Sequence, residues 1–160
     1  LVTQIHDFDY ALWFFGRPQQ VFSVGGQLSS LDLDVEDSVQ VLMKFEQEGR
    51  PLPVSISLDY LQWPPSRGFS IIGDNGRIDC DLIRSLVSLS DLQCRKTEHH
   101  EFLEHDCNNI FLDESRDFLS FVSGKNGPSV PMEEGMASLR VALAARQSME
   151  TGSSIPLTWN

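Results

Sequence analysis

Ser38-Val39-Gln40-Val41-Leu42-Met43-Lys44-Phe45 places Val39, Val41, Met43 and Phe45 on one side of an extended chain, with Ser38, Gln40, Leu42 and Lys44 on the other. The same period of two runs through residues 53–60, where Val54, Ile56, Leu58 and Tyr60 alternate with Pro53, Ser55, Ser57 and Asp59. It returns in 77–82 with Ile78, Cys80 and Leu82. Strict alternation predicts strands with one face on a core, the habit of antiparallel sheets. Glu48-Gly49-Arg50-Pro51 and Asp74-Asn75-Gly76 supply turns between these runs. Residues 20–29, 68–72 and 85–95 read as further strands, and the polar stretch 96–108 as a loop.

Upstream of the strands the period is helical. Ile5, Phe8, Leu12 and Phe15 line one face of a helix over 4–16, capped by Thr3 and stopped at Gly16 before Arg17-Pro18. A second face carries His6, Asp9, Tyr10 and Trp13. Downstream, a helix over about 109–123 ends at Gly124. Another starts near Pro131 and ends at Gly152, with Met132, Met136, Leu139 and Leu143 as its stripe. Gly135, Ala142 and Ala145 would let a neighbour approach closely. Ile155-Pro156-Leu157 suits a short edge strand. The order of helix, many strands and two helices predicts α+β: an open, mainly antiparallel sheet with helices packed on one face. No internal repeat is expected.

The chain has 160 residues, which suit one domain with one core. With 12 Lys plus Arg against 23 Asp plus Glu, the formal charge of −11 disfavours binding to nucleic acid or an anionic membrane surface. Three cysteines, Cys80, Cys94 and Cys107, lack zinc-knuckle spacing and form no closed disulfide set, so they read as reduced thiols of a cytoplasmic protein. The chain opens on Leu1 with no basic-then-apolar leader, and is expected to be a piece of a longer polypeptide.

His6, with Asp9 one turn on, is the leading chemical candidate. The positive end of a helix dipole favours a neutral imidazole, and a nearby carboxylate can fix its tautomer; a general base for an alcohol proton needs both. The residues alone also fit a histidine that merely caps a helix. His99, His100 and His105 invite a metal reading, and with it a metal-dependent hydrolase, but their spacing does not share one ligand face; no metal is expected. Gly73-Asp74-Asn75-Gly76 and Gly25-Gly26 match no phosphate or dinucleotide fingerprint. Gln40, Ser55, Ser57, Asp59, Arg77, Asp79 and Asp81 form a polar sheet face that could be solvated, line a cleft, or meet a second copy.

Ile5-His6-Asp7-Phe8-Asp9-Tyr10 with Trp13, Gly16 and Pro18 is similar to the helix opening the C-terminal domain of the Gfo/Idh/MocA oxidoreductases, the glucose–fructose oxidoreductase and inositol dehydrogenase relatives. The resemblance continues through residues 34–38 and 71–78, and closes on residues 132–135 and 144–152. It implies the C-terminal half of a dihydrodipicolinate-reductase-like, glyceraldehyde-phosphate-dehydrogenase-like two-domain fold. The N-terminal Rossmann domain, holding NAD or NADP and the family's catalytic Lys, would lie outside this chain. By the same resemblance His6 is the catalytic-site histidine, and Gln4, Asp9 and Tyr10 order a sugar- or cyclitol-like alcohol. Many relatives carry Asp four residues before the His and Gly two before, where this chain has Val2 and Gln4. The alternative is a non-catalytic domain that self-associates, as a dimer or tetramer, through its open sheet face.

Overall fold

The computed structural model describes residues 4–102 and 107–159. The chain divides into two compact units, Leu1–Leu61 with Val130–Asn160, and Gln62–Ser129. The strands likewise fall into two four-stranded antiparallel sheets.

In the first unit, α1 (Ile5–Phe15), β1 (Gln20–Gly26), β2 (Ser38–Gln47) and β3 (Arg50–Asp59) come from the start of the chain. The helix named α3 (Met132–Thr151) and β8 (Ile155–Pro156) come from its end. The sheet order is β3-β2-β1-β8. The β2–β3 hairpin turns on two residues alone, Glu48 at φ 52° and Gly49 at φ 75°, so Arg50 and Pro51 already belong to the strand. Two positive φ angles are what a tight turn needs to match strand twist. As an edge strand, β3 tolerates Pro51 and Pro53.

The alternating residues of β2 behave as their spacing predicts. Val39, Val41, Met43 and Phe45 are buried against Phe8, Ala11 and Leu12 of α1 and Val141, Ala142 and Ala145 of α3. Each large side chain so buried contributes about 1.5–3 kcal/mol relative to exposure. On α1, Phe8 and Leu12 face inward as expected, and Gly16 at φ 81° ends the helix with its N–H on Leu12 O at 2.8 Å. The residue at the N-cap position is Gln4; Thr3 lies outside the described residues.

On α3 the expectation is reversed. The stripe Met132, Met136, Leu139 and Leu143 is exposed, and the buried side is Ala137, Ser138, Val141, Ala142, Ala144, Ala145 and Ser148. Small residues bring the helix axis close to the sheet, and the polar ones among them are satisfied. Ser23 N donates to Ser148 Oγ at 2.9 Å, Ser23 Oγ donates to Ala145 O, and Ser148 Oγ donates to Ser153 O at 2.7 Å. Gly135 meets nothing within 4 Å, so it serves no close approach in this chain.

In the second unit, β4 (Gly68–Gly73), β5 (Gly76–Asp81), β6 (Leu86–Asp91) and β7 (Lys96–Glu101) form a meander in chain order, followed by α2 (Cys107–Val122). Residues 96–101 are therefore a strand and not a loop. Being the outer strand and exposed throughout, β7 buries no side and shows no apolar alternation to betray it. A short repeat also escapes the sequence reading. Asp81-Leu82 and Asp91-Leu92 open equivalent turns ten residues apart, the Asp81 carboxylate accepting from Ile83 N and Arg84 N and the Asp91 carboxylate from Gln93 N and Cys94 N, with Ser85 and Arg95 both at φ 53°. No residue described in this unit is fully buried.

Candidate active site

The histidine at the head of α1 is exposed and makes no side-chain hydrogen bond among the described residues. His6, Tyr10 and Trp13 follow one another at four- and three-residue steps, which sets them on one helix face, opposite Phe8, Ala11 and Leu12. The structure thus brings His6 and Tyr10 together on one outward side. The Tyr10 hydroxyl is committed to Asp7 Oδ1.

Asp9 is half-buried and turned toward α3. Its Oδ1 accepts the Ser138 hydroxyl at 2.8 Å, so it anchors the helix that carries His6. Gln4 is half-buried at the cap position, with no side-chain hydrogen bond to the helix start.

A second polar centre lies at Asp37, within the 34–38 stretch of the family resemblance. Asp37 is 1% exposed, and its carboxylate accepts Leu28 N at 2.8 Å, Ser29 N at 2.8 Å and the Ser29 hydroxyl at 2.5 Å. These bonds, led by that from Leu28 N, hold its acid below the usual carboxylate range. They order the β1–β2 connection, which carries the exposed Leu28, Leu31 and Val35. No local pattern announces such a bond, because donors and acceptor lie eight and nine positions apart.

The polar face expected as one surface is split between the two sheets. In the first sheet Gln40 donates to Ser57 at 2.6 Å, on the side that also carries Phe22, Val24 and Leu42. In the second, Arg77 Nε donates to Asp79 at 2.7 Å; bonds from Ser70 and Arg77 lower the Asp79 acid. Ser88 Oγ and His99 Nδ1 are bonded at 2.8 Å.

Cys80 and Cys94 stand as free thiols. Burial raises the first, and the hydrogen bond to Asp91 raises the second, so neither is an activated thiolate. Among the described residues no group of three or more His, Cys, Asp or Glu could hold a metal ion. His105 lies outside them. No described helix is long and apolar enough to cross a membrane.

Residues 1–157 match the model of the C-terminal alpha/beta domain of the Gfo/Idh/MocA oxidoreductase family. The chain belongs to this family. It is 28% identical over 160 residues to myo-inositol 2-dehydrogenase of Thermotoga maritima, covering 96% of this chain and 47% of that protein. Its fold is shared by the WlbA dehydrogenase of Bordetella pertussis, solved with NADH and UDP-GlcNAcA, at a TM-score of 0.71 and 19% identity over 99% of this chain and 44% of that one. An oxidoreductase from Agrobacterium radiobacter, solved with NAD+, L-tartaric acid and magnesium, shares it at a TM-score of 0.69 and 15% identity, over 96% and 47% of the two chains. The Gfo/Idh/MocA chain described here therefore spans about half the length of these relatives.

Proposed function

We propose that this chain is the substrate-binding half of an NAD(P)-dependent oxidoreductase that transfers hydride between a sugar- or cyclitol-like alcohol and a nicotinamide. The observation that carries this reading is the exposed His6 at the head of a helix, the residue that the family resemblance implies to be the catalytic-site histidine. Among the described residues its imidazole makes no hydrogen bond, which leaves it able to accept a substrate hydroxyl proton. Gln4 and Tyr10 flank it and order the alcohol. Asp9, bonded to Ser138, holds the helix in place. An acidic chain suits a polyhydroxylated substrate better than an anionic one.

The described residues do not themselves fit a dinucleotide. Both sheets are antiparallel, and Gly73–Gly76 joins β4 to β5 instead of opening a helix. The cofactor, NAD or NADP, belongs to a preceding Rossmann module, and the 160 residues alone are inactive. Free thiols at Cys80 and Cys94 agree with a cytoplasmic setting.

The test is His6→Ala in the polypeptide that carries both modules. Nicotinamide-dependent alcohol oxidation is expected to fall about 10²-fold or more. Unchanged turnover would remove His6 from the mechanism.

A second reading, self-association through the open sheet face, draws on Phe22, Val24 and Leu42, which stand exposed on the outer side of the first sheet beside Gln40 and Ser57. Leu42→Lys is expected to lower the mass measured by light scattering; an unchanged mass assigns that face to solvent.

A further inference from the structure

We propose that β7 is a self-complementary edge, at which two copies of the chain pair antiparallel about a two-fold axis through His99. The two meanders then form one eight-stranded sheet. This edge belongs to the second sheet, apart from the open face of the first, and does not depend on the reaction proposed above. The backbone sets which groups point outward. Phe102 N donates to Ser85 O at 2.8 Å, and Leu92 N to Asn75 O at 2.9 Å. These bonds fix the alternation of the ladder: Lys96, Glu98 and His100 exchange backbone bonds with β6, while Thr97, His99 and Glu101 turn theirs away from it. β7 ends its sheet, so among the described residues those outward N–H and C=O groups meet no further strand. Edges are ordinarily blunted by proline, a bulge or lysines. β7 has no proline, pairs with β6 without a break, and carries its one lysine at the first position.

The side chains select the occupant. A two-fold axis normal to a sheet keeps every side chain on its own face, so residues oppose one another across it only when their numbers add to an even sum. Centring on Glu98 would set Glu98 against its own copy, and centring on His100 would pair little of the strand. Centring on His99 sets Glu98 opposite His100 of the second copy and Thr97 opposite Glu101 of the second copy, and each pair occurs twice. Glu98 Oε2 and His100 Nε2 already lie 4.0 Å apart within one chain, so pairing closes a ring of two carboxylates and two imidazoles. On the other face Thr97 and Ser90 share a hydrogen bond at 3.0 Å; with Ser90 as donor, the Thr97 proton is left for Glu101 of the second copy. Ser88 Oγ holds His99 Nδ1 at 2.8 Å, which orients the ring at the axis. A strand of other sequence would meet these charges unmatched. The formal charge of −11 per copy opposes association only within about a Debye length, roughly 8 Å at physiological salt, and at this edge the nearest groups are matched.

Cross-linking reads the pairing directly. Across the axis the two Cα atoms of residue 99 would stand about 5.5 Å apart, within reach of a disulfide. The test uses the polypeptide that carries both modules, with Cys80, Cys94 and Cys107 replaced by serine. On mild oxidation, His99→Cys should form a covalent dimer at least about ten-fold faster than Gln93→Cys. Gln93 is also exposed, and pairing would hold it roughly 40 Å from its own copy. In the His99→Cys background, Glu98→His should slow the reaction, and adding His100→Glu, which exchanges the two partners, should restore it. Equal rates at 99 and 93 overturn the proposal, as does a rate indifferent to Glu98→His or a double exchange that restores nothing. Leu42→Lys, on the open face of the first sheet, should leave the cross-linking unchanged; its loss in that variant assigns association to that face and overturns pairing at β7.

Discussion

Asp9 Oδ1 accepts the hydroxyl of Ser138 at 2.8 Å, across 129 positions of sequence, and the same hydroxyl lies 3.3 Å from Glu134 O. The bond fixes how α1 lies against α3, and with it where His6 points. Ser138→Ala removes the donor and leaves a half-buried carboxylate without its partner. The variant should lose about 1 kcal/mol in urea unfolding. A midpoint equal to wild type would show that the bond contributes nothing to the packing of α1.

Two glycines should respond in opposite directions. A Cβ on Gly25 would stand 2.3 Å from Ser38 O and 2.7 Å from Val39 Cα. Both belong to the backbone of the paired strand, which cannot withdraw, so Gly25→Ala should cost about 1–3 kcal/mol. Gly135 lies inside α3 with open space around it. There alanine should stabilise by about 0.5–1 kcal/mol, through helix propensity alone. Thermal unfolding of the two variants side by side checks the contrast.

The Asp37 carboxylate sets a pH dependence whose sign is fixed. Its acid is lowered in the folded state, chiefly by the bond from Leu28 N and then by the Ser29 hydroxyl. The stability it contributes is fully present above the ordinary aspartate value of about 4, and is lost as pH falls through the lower folded value. Asp37→Asn should therefore unfold more easily at neutral pH and show a flatter decline on acidification. Parallel stability curves for wild type and variant between pH 7 and pH 3 would remove Asp37 from the acid response.

Phe45 is fully buried, with its ring edge-on to Phe15 at 5.8 Å between centroids. Phe45→Ala should cost about 3–5 kcal/mol, the range for emptying a packed aromatic site. Chemical denaturation measures it, and a loss below about 1 kcal/mol would mean that the core collapses around the gap.

What could be read from the chain depended on whether a residue's neighbours in space are also its neighbours in sequence. The inward side of β2 and the stop at Gly16 are local matters, and they appear in the structure as the spacing predicts; the β2–β3 turn is where it is expected, though it closes on Glu48-Gly49 alone. β7 was hidden because an outer strand that buries nothing carries no hydrophobic period. The orientation of α3 differs from the expectation because its large apolar side chains face outward, not into the core. Its neighbour β1 instead demanded alanine and serine, and only the three-dimensional pairing of Ser23 with Ser148 and Ala145 reveals that. The same limit applies at the candidate site. His6 was found through its helix position, whereas the partner of Asp9 lies on a helix near the other end of the chain.

Because the first unit joins residues 1–61 to residues 130–160, β1, β2 and β3 are synthesised long before α3, one of the two helices that cover them. Phe45 leaves the ribosome some ninety residues ahead of Ala137, a delay of about 5–20 s at ordinary elongation rates. For that interval the nascent chain presents Val39, Val41, Met43 and Phe45 without α3. Yield during expression should accordingly depend on chaperone supply and slow translation more than on the stability of the finished molecule.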